Sequence, residues 1–292
     1  MKNFKQEFQT LLGFYKKKNF YKAELLSKRL INIYPENIVL YNILGLILNQ
    51  QNKNDEAIEC YEKGLKIDPK FSMIYNNLGS IYRSRNQLEK AESYFKKSID
   101  LNNKLAEPLN NLGNLYKSMN NYEDAIKCYN KAISINPNFF AFHYNLAIAY
   151  KSIGQFSKAE KHLNDCLNLN KYFFTAHRNL SELIKYTNES KHLSILNELY
   201  NENKIDKKNK KELAFALGKA HDDIKNYSKS FNYYNEGNKL HRSTIKFSIK
   251  HEKQEFELIK KTFNKDLFTI NQDTNNLKDE PIFIIGMPRS GT

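Results

Sequence analysis

Alanine recurs in this chain at a fixed interval of 34 residues. The series is Ala23, Ala57, Ala91, Ala125 and Ala159. Small residues stand twelve positions before the last four alanines, and large rings stand four positions after three of them. These are Gly45, Gly79, Gly113 and Ala147, and Tyr61, Phe95 and Tyr129. A period kept without a slip indicates a linear array of similar structural units.

The recurring small residues are explained if helices cross closely at these positions. Helix axes approach to about 8 Å only where no bulky side chain intervenes. Pro35, Pro69 and Pro137 stand at the ends of three units, where proline stops a helix. The pattern resembles the tetratricopeptide repeat. This resemblance implies an all-α fold, a right-handed superhelical solenoid of helix hairpins.

The predicted repeat array occupies residues 1–245. Its five regular repeats lie at 4–37, 38–71, 72–105, 106–139 and 140–173. A degenerate sixth repeat at 174–206 includes a helical segment at 189–204, and a charged loop at 205–211 leads into the last hairpin, within 207–245. A capping helix at 248–268 and a polar linker make up the segment 246–280.

The first helix of each hairpin lines the concave side of such an array. Two polar rows recur there with the same period, six residues apart: Asn77, Asn111, Asn145 and Asn179, and Arg83, Lys117, Lys151 and Lys185. A primary amide offers both a donor and an acceptor, so it can hold an extended peptide backbone of any sequence. The asparagine row resembles the ladder in the O-linked N-acetylglucosamine transferases.

We therefore predict that this surface binds a protein or peptide, with the cations favouring an acidic one. We expect replacement of Asn111 and Asn145 by alanine to weaken peptide capture without changing thermal stability. The alternative is that the asparagines suit the fold and the cations form a solvated face.

The last twelve residues, 281–292, carry a different pattern. Four apolar residues, 282–285, lead into the loop Gly286-Met-Pro-Arg289-Ser290-Gly291-Thr292. A strand followed by such a loop presents backbone N–H groups to a phosphate. The glycines have the Walker-loop spacing, but Thr292 stands where that loop has lysine. The segment resembles instead the phosphosulfate-binding loop of sulfotransferases, in the branch that includes the tyrosylprotein sulfotransferases.

This second resemblance implies that 281–292 is the first strand and loop of a truncated α/β sulfotransferase domain. The co-substrate would be 3′-phosphoadenosine 5′-phosphosulfate (PAPS), and a hydroxyl would accept the sulfuryl group. The cofactor-binding residues carried over are Gly286, Arg289, Ser290, Gly291 and Thr292. The general base, the 3′-phosphate site and the acceptor pocket would lie downstream, so no catalytic residue is predicted within this chain.

Two functions follow from these patterns. In one, the repeats recruit the substrate of a PAPS-dependent sulfotransferase, whose acceptor (protein tyrosine, carbohydrate or small alcohol) is left open. In the alternative, the chain is a stand-alone tetratricopeptide scaffold without catalysis.

Composition bounds the remaining possibilities. A net charge of +14 favours anionic partners, although an Asn/Lys/Ile-rich coding bias also explains it. Because no aromatic-basic platform, long apolar window or signal-peptide core is present, we expect no nucleic acid or membrane partner, and a cytoplasmic location. The three cysteines and seven histidines show no paired metal-ligand spacing, so no metal site is predicted. We expect Cys60, Cys128, His143 and His177 to serve packing.

Overall fold

The computed structural model describes residues 2–202, 205–245 and 248–262. All regular secondary structure within these ranges is α-helical. The helices are α1 (Lys2–Lys16), α2 (Phe20–Ile33), α3 (Ile38–Gln50), α4 (Asn54–Ile67), α5 (Ser72–Ser84), α6 (Leu88–Leu101), α7 (Ala106–Ser118), α8 (Tyr122–Ile135), α9 (Phe140–Ser152), α10 (Phe156–Leu169), α11 (Phe174–Ser181), α12 (Lys191–Tyr200), α13 (Lys207–Asp223), α14 (Tyr227–Thr244) and α15 (Ile249–Thr262). No helix in the described ranges has the length and apolar character that a membrane crossing requires.

The chain divides into two compact units, Met1–Leu240 and His241–Thr292. In the first unit, each odd-numbered helix from α1 to α9 packs against the helix that follows it, and each even-numbered helix packs against the next odd one. Helices α3, α5, α7 and α9 begin at residues 38, 72, 106 and 140, the first residues of the predicted repeats. In the second unit, α15 has no buried residue. The predicted sulfotransferase strand and loop at 281–292 lie outside the described residues.

The close crossing within each hairpin from α3 to α10 depends on a small residue that faces a large side chain. A Cβ atom on Gly79 would lie 2.7 Å from the ring of Phe95, and the corresponding atom on Gly113 would lie 2.6 Å from the ring of Tyr129. In the fifth hairpin, Ala147 replaces the glycine and Leu163 replaces the ring; both are fully buried in one core cluster. The predicted role of the small residues is confirmed, and the chain itself shows how the two positions compensate each other.

In six hairpins of the described residues, the two helices are joined by a turn with one left-handed residue. Positive φ angles occur at Lys18, Asn52, Asn86, Asn120, Gly154 and Lys225. The turn is closed by backbone bonds such as Asn86 N–H to Arg83 C=O at 3.0 Å. Asparagine tolerates the left-handed region better than most residues, which explains its use at three of these positions.

The repeat changes after the fifth hairpin. Helix α11 has only 8 residues, and α13 packs against both α11 and α12 around one apolar core. The charged loop predicted at 205–211 is wrong from Lys207 onward, because α13 begins there. The side chain of Asp206 caps this helix by accepting the backbone N–H of Asn209 at 2.8 Å.

Candidate peptide-binding groove

The first helices of the regular hairpins form a row, since α3, α5, α7 and α9 each contact the next one. We define the amide row as the four predicted asparagines, which are half-buried on α5, α7, α9 and α11: Asn77, Asn111, Asn145 and Asn179. The predicted 34-residue series thus becomes a row that crosses four successive first helices.

The amide row is also hydrogen-bonded between repeats. Asn77 Nδ2 donates to Asn42 Oδ1 at 2.8 Å, Asn111 Nδ2 to Asn76 Oδ1 at 2.9 Å, and Asn145 Nδ2 to Asn110 Oδ1 at 2.8 Å. Each bond joins a first helix to the first helix of the preceding repeat. The amide group has two N–H donors and a carbonyl with two lone pairs. In the described part of the chain, no donor reaches Oδ1 of Asn111 or Asn145. Both amides therefore keep an acceptor and a donor for a ligand.

These bonds revise the expectation that Asn111→Ala leaves stability unchanged. Asn76 is 5% exposed, and its Oδ1 would lose the donor that Asn111 supplies. A buried acceptor left without a partner costs about 1–3 kcal/mol. Alanine substitution in the amide row therefore cannot separate binding from stability.

The four predicted cations differ in their surroundings. Arg83 and Lys117 are half-buried on α5 and α7, and no carboxylate of the described residues lies within 4 Å of either. Burial, and then the positive charge of Arg83, lower the pKa of Lys117. Two adjacent positive charges on this face thus lack a counter-charge from the described residues.

The other two predicted cations differ. Lys151 donates to Asn179 Oδ1 at 3.0 Å and forms an ion pair with Glu182. Lys185 is exposed and lies beyond the end of α11 at Ser181, so its predicted place on a first helix is wrong. Because α11 ends at Ser181, the 34-residue series of cations leaves the first helix before Lys185.

A small pocket opens at one end of the amide row. It has a volume of about 230 Å³ and lies between first helices, lined by Tyr15, Leu46, Met73, Asn76, Asn77, Leu105, Glu107 and Pro108. Met73 is 45% exposed. Apolar walls beside two amides suit one apolar side chain of an extended peptide.

All three cysteines pack in core clusters, as the sequence predicts for Cys60 and Cys128. Cys60, Cys128 and Cys166 are all buried and free. Burial raises the pKa of the Cys60 thiol to about 12 and that of Cys128 to about 11. Because the thiolate is the reactive form, these groups are poor nucleophiles at neutral pH.

Histidines come together in two pairs that sequence spacing did not connect. His143 lies beside His162, and His177 lies beside His192. The members of each pair stand on different helices, so no single-helix motif reports them. The repeat period could have predicted the first pair. His143 and His162 occupy the same repeat positions as Tyr41 and Cys60, three repeats earlier. Those two residues are also in contact, since the Cys60 thiol donates to the Tyr41 carbonyl at 3.3 Å.

Family models of the tetratricopeptide repeat match residues 45–82 and 113–154, 72–105, and 140–173. The array is therefore one of tetratricopeptide repeats, and the chain is a tetratricopeptide-repeat protein. The matched residues all lie within 45–173 and include none of the predicted sulfotransferase segment. No curated protein matches the chain.

Several solved structures have a similar fold. PilF of Pseudomonas aeruginosa aligns with a TM-score of 0.56 and 15% identity, covering 78% of this chain and 96% of its own. The protein TTC0263 of Thermus thermophilus aligns with a TM-score of 0.54 and 16% identity, covering 61% and 97%. MamA is 26% identical over 55% of this chain and 93% of its own, with a TM-score of 0.46. Because tetratricopeptide repeats generally bind peptides or proteins, this fold defines a scaffold for protein–protein interaction.

Proposed function

We propose that the protein is an interaction scaffold that holds an extended acidic peptide along the amide row. The observation that carries this proposal is the uncompensated pair Arg83 and Lys117. Removing a lysine ammonium from water is costly unless an opposite charge lies nearby, and the described residues supply none. A ligand carboxylate placed between the two cations would supply that charge and accept charge-assisted hydrogen bonds.

The amide row gives the peptide backbone its partners. The free carbonyl oxygens of Asn111 and Asn145 can accept backbone N–H groups, and their second N–H can donate to a backbone C=O. Packed helices lie about 8–10 Å apart, and an extended chain advances about 3.3 Å per residue. Successive asparagines would therefore meet about every third residue of the ligand, and the pocket beside Asn77 would take an apolar side chain.

The test uses Lys117→Met, which removes the half-buried charge and keeps an apolar stem. The matched control is Lys131→Met, which removes an exposed charge from α8, the second helix of the same hairpin. The probe is a fluorescent ten-residue peptide of alternating glutamate and leucine, followed by anisotropy, with a lysine–leucine peptide as its charge-reversed counterpart.

We expect Lys117→Met to bind the acidic peptide about tenfold more weakly and to melt at a higher temperature than the wild type. Lys131→Met should keep wild-type binding and stability. The proposal is overturned if Lys117→Met binds normally, or if both variants lose the same affinity, since that would show attraction by net charge alone.

Sulfuryl transfer is a second candidate function, and the observation that favours it is the loop sequence from Gly286 to Thr292. The repeats would then recruit the acceptor, and Arg289 would contact the phosphosulfate. The test is equilibrium binding of adenosine 3′,5′-bisphosphate to the full-length protein, with Arg289→Ala measured alongside. Binding that Arg289→Ala weakens supports the assignment, whereas no binding, or equal binding, removes it and leaves the scaffold proposal untouched.

A further inference from the structure

Three metal-ligating side chains converge between the two helices of the fifth hairpin. His143 lies on α9, and His162 and Asp165 lie on α10. His143 Nδ1 is 3.4 Å from His162 Nδ1 and 3.8 Å from Asp165 Oδ2, and His162 Nδ1 is 3.5 Å from the same oxygen. These three atoms form a nearly equilateral triangle.

The size of this triangle matches one face of a zinc coordination sphere. Zinc binds histidine nitrogen and carboxylate oxygen at about 2.0–2.2 Å in tetrahedral geometry, so neighbouring ligand atoms stand about 3.3–3.5 Å apart. Two edges of the triangle fall within that range, and the third needs only a small shift of Asp165, whose side chain is 37% exposed. An ion could reach the three atoms from the side of Asp165.

The proton positions leave His143 Nδ1 available as a ligand. His143 Nε2 lies 2.9 Å from the carbonyl oxygen of Pro137, which can only accept, so this nitrogen carries the proton. The same contact is made two repeats earlier in the array, where the Tyr75 hydroxyl donates to the Pro69 carbonyl at 3.0 Å. A neutral imidazole bound this way holds its lone pair on Nδ1, and a carbonyl behind a histidine is a common support of metal ligands.

The ring of His162 is held in place as well. It stacks on Tyr150, with centroids 5.8 Å apart and an interplanar angle of 11°. Its side chain is 19% exposed, and that of His143 is 11% exposed. Both rings are thus oriented before any ion arrives, which lowers the cost of assembling a site.

The second histidine pair shows what a purely structural arrangement looks like in this fold. His177 occupies the slot of His143 one repeat later, and its Nδ1 lies 2.8 Å from His192 Nε2. The Tyr186 hydroxyl lies 2.7 Å from His192 Nδ1, and His177 Nε2 lies 2.8 Å from the Lys171 carbonyl. Every ring nitrogen there has a short partner. The 3.4 Å between His143 and His162 is longer than a normal hydrogen bond, so hydrogen bonding does not account for that pair.

We propose that His143 Nδ1, His162 Nδ1 and Asp165 Oδ2 bind a divalent transition-metal ion of the zinc class, with a fourth position open to water. Two imidazoles and one carboxylate suit zinc, copper or nickel, whereas magnesium and calcium prefer oxygen ligands throughout. The ion would link α9 to α10 and stabilise the fifth hairpin by binding only its folded form. The sequence predicted no metal site because the ligands come from two helices.

The experiment titrates zinc into the full, tag-free chain against a chromophoric chelator. Asp165→Asn removes one ligand at a partly exposed position, and His162→Tyr introduces the residue that occupies this slot as Tyr94 two repeats earlier. The matched control is His251→Ala, since His251 belongs to a second group of the described residues that could hold an ion, a mostly exposed one with Glu252 and Glu255. Melting temperatures with and without zinc report whether each variant is folded.

We expect one zinc ion per wild-type chain, with affinity reduced at least about tenfold in Asp165→Asn and His162→Tyr and unchanged in His251→Ala. Zinc should raise the melting temperature of the wild type and of His251→Ala but not of Asp165→Asn. The proposal is overturned if the wild type shows no saturable zinc binding, if Asp165→Asn binds as the wild type does, or if His251→Ala removes the binding.

Discussion

The regular hairpins from α3 to α10 and the irregular region from α11 to α13 fill their interiors in different ways. In the regular hairpins, helices approach closely because a small residue faces a large apolar one, as Gly79 faces Phe95. In the irregular region, α11 and α12 are joined instead by a hydrogen-bonded pair of rings, His177 and His192. A packing contact that recurs in every repeat can be predicted from the sequence period. A buried polar group needs a specific hydrogen-bond partner, and the period does not identify that partner.

The polar contacts of the irregular region connect helices that have lost the repeat pattern. Arg178 on α11 pairs with Glu212 on α13 at 3.1 Å and lies 4.6 Å from the ring centroid of Phe215. Asp223 accepts the backbone N–H of Tyr186 at 3.0 Å. These contacts take over the positioning role that the crossing glycines have in the regular hairpins.

The largest expected effect tests the shape rule of the regular hairpins, namely that a small residue must face a large apolar one where the two helices cross. Gly79→Ala places a Cβ atom 2.7 Å from the ring of Phe95, so it should lower the free energy of unfolding by about 1–3 kcal/mol. Combining it with Phe95→Leu recreates the pair formed by Ala147 and Leu163, and should recover part of the loss. Urea unfolding of the two single variants and the double variant measures the coupling.

The control for this cycle is Gly13→Ala on α1, where an added Cβ atom meets nothing within 4 Å. It should be neutral or stabilising, because alanine favours helices. The shape rule fails if Gly79→Ala is tolerated as well as Gly13→Ala. It also fails if the effects of Gly79→Ala and Phe95→Leu on the free energy of unfolding are additive.

The next effect tests the polar interior of the irregular region. Burial, with a smaller contribution from His177, lowers the pKa of His192 to about 3. In the unfolded chain this histidine has an ordinary pKa near 6.5, so below that pH it binds a proton that the native state does not bind. Stability should therefore fall as the pH drops from about 6.5 toward 3, because the unfolded chain takes up this proton before the native state does.

Urea unfolding between about pH 7 and 4 checks this dependence. His192→Gln should be less stable at neutral pH, because it loses two hydrogen bonds, and should show a shallower slope. The exposed His251 provides the control, and His251→Gln should keep the wild-type slope. An unchanged slope in His192→Gln would place the proton uptake elsewhere.

The contrast between the regions also explains what the sequence could predict. The period places the helix starts and the crossing pairs correctly because each repeat experiences the same surroundings. The period does not reveal the amide bonds, although Asn42, Asn76 and Asn110 form a series, because the donors to these residues come from the following repeat. Charge alone predicts a loop at Lys207–Lys211, but lysine is a good helix former and Asp206 supplies the cap, so a helix forms there.

The smallest effect distinguishes the turns of the two regions. Lys225, in the turn after α13, has a φ of 62°, and Asn86, in a regular hairpin, has a φ of 57°. Lysine is more strained than asparagine in the left-handed conformation, and glycine is not strained there but gains freedom in the unfolded chain. Lys225→Gly should therefore raise the free energy of unfolding by about 0.5 kcal/mol, whereas Asn86→Gly should change it by less. Urea titrations of both variants measure the difference. Equal effects in the two turns would mean that Lys225 is no more strained than Asn86.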